Sequence, residues 1–126
     1  MKDTIVLSNL GHTWIFDIDG TLVKHNGYLI DGFDTLLPGV QDFFNSNIRK
    51  EDYVILLTSR KKVYKNLTVS FLKKNGIRYD SIIFELPFGE RVLINDCKPS
   101  GLKMSKSIDL KRDCFDFPNV IIDEEI

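Results

Sequence analysis

The chain reads as an α/β domain with a mostly parallel sheet and helices packed on its faces. Three observations predict this. Short apolar runs alternate with segments of helical periodicity, in the order strand, helix, strand, helix, strand, strand. The runs are apolar throughout, without polar alternation, as in strands buried on both faces. Three separate runs end in groups able to do chemistry: Asp17, Thr58 and Asp96. In parallel sheets ligands sit beyond the carboxyl ends of the strands, so these ends are expected to converge.

The first run is Thr13-Trp14-Ile15-Phe16, which stops at Asp17. Residues 20–37 carry Gly20, Gly27 and Gly32 and read as a loop or small hairpin. After Pro38-Gly39, the spacing of Val40, Phe43, Phe44 and Ile48 predicts a helix over 39–48. Tyr53-Val54-Ile55-Leu56-Leu57 is the next strand, ending at Thr58. Val63, Leu67 and Phe71, with the neighbouring row Tyr64, Thr68 and Leu72, predict a helix over 61–75, capped by Asn75-Gly76. Ser81 to Phe84 and Val92-Leu93-Ile94 read as two further strands, with a turn at Leu86 to Gly89 between them. Lys103 to Leu110 fits neither pattern, and Asn119 to Ile122 reads as a last strand.

At 126 residues, with no repeats and no Pro/Gly/Ser-rich linker, the expectation is a single domain over 1–126. Seventeen basic and eighteen acidic residues leave a net charge of −1, which excludes a global nucleic-acid-binding signature. A local basic stretch, Arg60 to Lys65, reads first as a solvated helix face. No apolar run approaches the ~18 residues of a membrane span, and the opening segment has no long apolar core. A cytoplasmic protein is therefore expected, with Cys97 and Cys114 as free thiols rather than a disulfide. His12 and His25 have no metal-like spacing and receive no role.

The chemistry concentrates in Phe16-Asp17-Ile18-Asp19-Gly20-Thr21-Leu22. Two carboxylates two residues apart, just past a buried strand, are unfavourable unless something neutralises them. A hard divalent cation such as Mg²⁺ prefers oxygen ligands and would serve. Gly20 lets the backbone turn sharply after the pair.

This segment resembles the first motif of the haloacid dehalogenase superfamily. The resemblance spans residues 12–99 and implies a Rossmann-like, three-layer α/β/α core. It also implies an Mg²⁺-dependent phosphomonoester hydrolase that works through an aspartyl-phosphate. By position, Asp17 is the nucleophile and Asp19 the general acid and base. Asp17 binds Mg²⁺ through its carboxylate and Asp19 through its main-chain carbonyl. Leu56-Leu57-Thr58 is similar to the second motif, whose hydroxyl donates to a phosphoryl oxygen. Ser59 and the amides after it are expected at a helix start that favours an anion. Arg60 either grips a substrate phosphate or is a solvated helix-start residue. Val92 to Asp96 is similar to the fourth motif. Asp96 supplies its metal carboxylate, and Asn95 stands where many members carry a second acid. The basic residue of the third motif is Arg91 by preference, with Lys73, Lys74 and Lys98 as other candidates.

About forty residues separate Asp17 from Thr58, so a short flap over about 20–37 takes the place of a cap domain. Tyr28, Leu29, Ile30 and Phe33 are its expected apolar face. An uncapped site needs other means of excluding water, such as a bulky substrate or a second copy in a homo-oligomer. The expected substrate is a small phosphorylated molecule, a sugar phosphate or related metabolite. A nucleotide or polynucleotide end phosphatase is the less favoured alternative, suggested by Arg60 and the open site. An inactive phosphate-binding scaffold is the alternative from another class.

Overall fold

The computed structural model describes residues 3–114 and 116–126. It is a small α/β fold in which every strand pairing is parallel, with the strands divided between two sheets. β1 (Thr4–Leu7) and β5 (Asn119–Ile122) form one sheet. β2 (Thr13–Asp17), β3 (Tyr53–Leu57) and β4 (Ser81–Ile83) form the other, in that order. The helices are α1 (Gly27–Ile30), α2 (Val40–Asn47) and α3 (Lys65–Lys74), the last preceded by a 3₁₀ turn at Lys62–Tyr64.

Aromatic packing seats α2 on the sheet. The Phe16 ring of β2 lies 4.7 Å from that of Phe44 and 6.2 Å from that of Phe43. Phe117, just before β5, meets Phe43 at 4.8 Å, so one apolar cluster reaches both sheets. α3 contributes Leu72 to the same cluster. Its C-terminus is closed by a Schellman motif: Gly76 N–H donates to Lys73 and Ile77 N–H to Leu72, with Gly76 at φ 66°. This is the cap that Asn75-Gly76 predicts.

Three features differ from the sequence expectation. The sequence pattern does not predict β1; Thr4 to Leu7 is short and becomes a strand by pairing with β5, more than a hundred residues away. Val92-Leu93-Ile94 is not a strand. Its residues are 81%, 57% and 91% exposed, and among the described residues 84–118 contains no helix or strand. A three-residue apolar run gains its ladder only from a partner edge, and none engages it here. Finally, the central strands are not buried on both faces. Val54 and Leu56 are fully buried, whereas Ile15 and Tyr53 are about half exposed, because the irregular 84–118 stretch does not cover that face as a helix would. No helix among the described residues is long and apolar enough to cross a membrane.

Candidate active site

The parallel ladder brings the strand ends together. Ile18 N–H donates to Leu57 and Thr58 N–H to Ile83, carrying the sheet register one residue past each strand. Asp17, Asp19 and Thr58 are thereby brought together at the carboxyl ends of β2 and β3. The chain then turns tightly. The Ile18 carbonyl accepts from Thr21, Leu22 and Val23, while Gly20 N–H donates to the Val23 carbonyl. Gly20 sits at φ +83°, a conformation that favours glycine.

The two carboxylates have different surroundings. Asp17 is about one-third exposed; Thr21 Oγ1 donates to its Oδ2 at 3.0 Å and Arg91 Nη1 to its Oδ1 at 3.0 Å. Asp19 is more enclosed. Thr58 Oγ1 donates to its Oδ2 at 2.9 Å, Arg60 Nε to its Oδ1 at 3.0 Å, and Arg60 Nη2 to its Oδ1 at 2.9 Å. Asp17 also lines a cavity of about 590 Å³ beside β2, together with Thr21, Asn95, Lys106, Trp14 and Phe16. That size suits a small-molecule ligand. Asp19, Thr58 and Arg60 are not among its lining residues.

The other expected site residues are distributed as follows. Thr58 is fully buried, and its hydroxyl faces Asp19 rather than open space. Ser59 Oγ donates to the Pro87 carbonyl at 3.3 Å. Ser59 does not start a helix, because Lys61 is still extended and helical structure begins only at Lys62. Arg60 is neither solvated nor directed at the cavity. It is 3% exposed and lies between the carboxylates of Asp19 and Asp34. Burial lowers the Arg60 pKa, but hydrogen bonds from its guanidinium to Asp34 and Asp19 more than offset this, and the net effect is a rise. Asp96 lies in the exposed irregular stretch, where Asn95 Nδ2 donates to its carbonyl at 3.1 Å. Asn95 itself reaches the cavity wall.

Asp34, Thr68 and the polar use of Tyr28's surroundings escape a sequence reading. Asp34 falls in Gly32-Phe33-Asp34-Thr35, a loop with no periodicity to single it out. Of the expected flap face, Leu29, Ile30 and Phe33 are exposed, while the Tyr28 ring lies against the Arg60 guanidinium at 3.9 Å. Burial raises the Tyr28 pKa, and Arg60 opposes that rise without cancelling it.

Arg91 occupies Asp17 Oδ1, so a hard cation would have to share this carboxylate with a guanidinium, held by one carboxylate oxygen, water and a substrate phosphate. An all-protein cage does not fit: among the described residues no three His, Cys, Asp or Glu side chains converge. Comparison with protein families, curated proteins and solved structures finds nothing that matches this chain.

Proposed function

We propose that the chain is a phosphomonoester hydrolase of the haloacid dehalogenase type, with Asp17 as nucleophile. One observation carries the reading. Asp17 ends a parallel strand, lines a substrate-sized cavity, and has a cation on one oxygen, while a second carboxylate lies two residues on in a separate, donor-rich setting. Asp17 is thus presented to a ligand in the cavity, with a guanidinium beside it to meet a phosphate's charge.

In the proposed reaction an Asp17 oxygen attacks phosphorus and the bond from phosphorus to the ester oxygen breaks. Asp19 supplies the proton to the departing alkoxide, giving an alcohol and an aspartyl-phosphate. Water then attacks phosphorus, Asp19 takes its proton, and cleavage of the phosphorus–Asp17 bond releases phosphate and restores Asp17. Arg91 meets the negative charge of the incoming phosphate. Magnesium, held through Asp17, would screen the same charge. The main-chain carbonyl of Asp19 is its second expected ligand, whereas Asp96 is not gathered with the pair.

The finer architecture, a three-layer core with a flap over 20–37 and no cap, belongs to this same reading, as do a cytoplasmic setting and a homo-oligomer that shields the site. A sugar phosphate or similar metabolite is the preferred substrate class, in keeping with the cavity volume. A polynucleotide end phosphatase would need Arg60 for its substrate, and the Arg60 donors are engaged internally.

The test is phosphate release from a broad phosphomonoester panel, with and without a chelator. The wild-type chain should hydrolyse at least one substrate class and lose activity to the chelator. Asp17→Asn should abolish turnover; full activity in that variant would overturn the mechanism.

A further inference from the structure

The Arg60 guanidinium uses its whole donor fork inside the protein. Nε donates to Asp19, Nη1 to Asp34 Oδ2 at 3.0 Å and Thr68 Oγ1 at 2.9 Å, and Nη2 to Asp19 Oδ1 at 2.9 Å and Asp34 Oδ1 at 2.7 Å. Its flat face lies on the Tyr28 ring, which in turn meets Tyr64 at 4.9 Å in an edge-on contact. Thr68 Oγ1 in turn donates a hydrogen bond to the Tyr64 carbonyl at 2.8 Å. Asp34 and Tyr28 come from the 20–37 segment, Thr68 from α3, and Asp19 from the end of β2.

We propose that Arg60 is a positioning residue that couples the seating of the 20–37 segment to the orientation of Asp19. The proposal rests on the reading of Asp19 as acid and base. A guanidinium is planar and rigid, so two carboxylates bound along its edges are fixed relative to each other. Moving Asp34 frees one side of that plane and, through it, Asp19. The base of the segment is already pinned without Asp34: Lys24 N–H donates to Thr35 and Leu37 N–H to Leu22. The buried ion pair is therefore not needed to close the loop, and a buried pair is a poor way to gain stability alone. Its distinctive product is geometric. Substrate binding by Arg60 is ruled out in this arrangement by its 3% exposure and filled donors.

Asp34→Asn is the informative variant, because Asp34 is joined to Asp19 through Arg60, whose Nη2 serves both, and does not line the cavity. The expected result is a fall in kcat of about tenfold or more, since small misplacements of a catalytic group are that damaging. KM should stay within about threefold, because uniform substrate binding is untouched. Arg60→Lys should resemble it, as one ammonium cannot hold two carboxylates in a fixed plane. Ile77→Ala, a buried change away from the site, should lower the melting temperature while leaving kcat unaltered. Amide hydrogen exchange gives a readout independent of activity: Leu29 and Ile30, whose amides bond to Asn26 within the segment, should exchange faster in Asp34→Asn than in wild type, while Lys24 and Leu37 at its base should not. Unchanged kcat in Asp34→Asn, or a rise in KM alone, overturns the positioning role. Unchanged exchange at Leu29 and Ile30 overturns the coupling to the segment. Absence of phosphate release from the wild type instead overturns the hydrolase reading, and the exchange arm still decides the coupling.

Discussion

Arg91 Nη1 donates to Asp17 Oδ1 at 3.0 Å, joining residues 74 positions apart in the chain. Arg91 comes from an irregular stretch, so the contact is a long-range gift of the fold rather than of a local element. Both side chains are about one-third exposed, and solvent screening makes such a pair worth little to stability. Under the proposed function its consequence falls on chemistry. Arg91→Gln should leave the unfolding free energy within about 0.5 kcal/mol of wild type. Phosphate release should fall on the order of a hundredfold, as for loss of a charge-stabilising donor. Urea denaturation beside steady-state kinetics checks both halves.

Asp52 is a second carboxylate whose value is structural. It accepts from His12 N–H at 2.9 Å, Trp14 Nε1 at 3.0 Å and Arg49 N–H at 2.9 Å, tying the start of β2 to the turn before β3. Burial works to raise its pKa, but these hydrogen bonds and the Arg49 charge outweigh burial, and the net effect is a lowering. A carboxylate lowered on folding contributes stability that is present above its unfolded pKa, near 4, and lost as pH falls through the folded value. Asp52→Asn should cost about 2 kcal/mol at neutral pH, because the amide turns donors toward donors. The gap between variant and wild type should narrow below about pH 4. Urea unfolding across a pH series measures it.

Gly20 occupies φ +83°, and a Cβ there would lie 3.0 Å from Arg112 Cγ. The Arg112 side chain is exposed and free to shift, so backbone strain dominates. Gly20→Ala should lower stability by about 1 kcal/mol. A matched Gly32→Ala, with the same φ and open space around it, separates strain from contact: the two variants should lose similar amounts. Thermal melts of both decide it.

Ile94 distinguishes the apolar pattern from the fold. Burial in a strand would make Ile94→Ser cost 2 kcal/mol or more, about the transfer energy of the side chain. At 91% exposure the expected change is within about 0.5 kcal/mol. Denaturant unfolding gives the answer directly.

Local physics alone determined much of this protein. The spacing of Val40, Phe43 and Phe44 specified α2, Gly76 specified the end of α3, and the apolar runs before Asp17, Thr58 and Phe84 specified three parallel strands. The placement of Asp17 and Asp19 at and just past a strand end was legible because it depends only on the apolar run before them. Tertiary structure decided everything that depends on a distant partner. It made Thr4–Leu7 a strand through β5, left Val92 to Ile94 without a ladder, and kept Asp96 apart from the acidic pair. It also enclosed Arg60 between Asp19 and Asp34, because a guanidinium's role is set by which carboxylates the folded chain brings to its edges, and no spacing in the sequence encodes that.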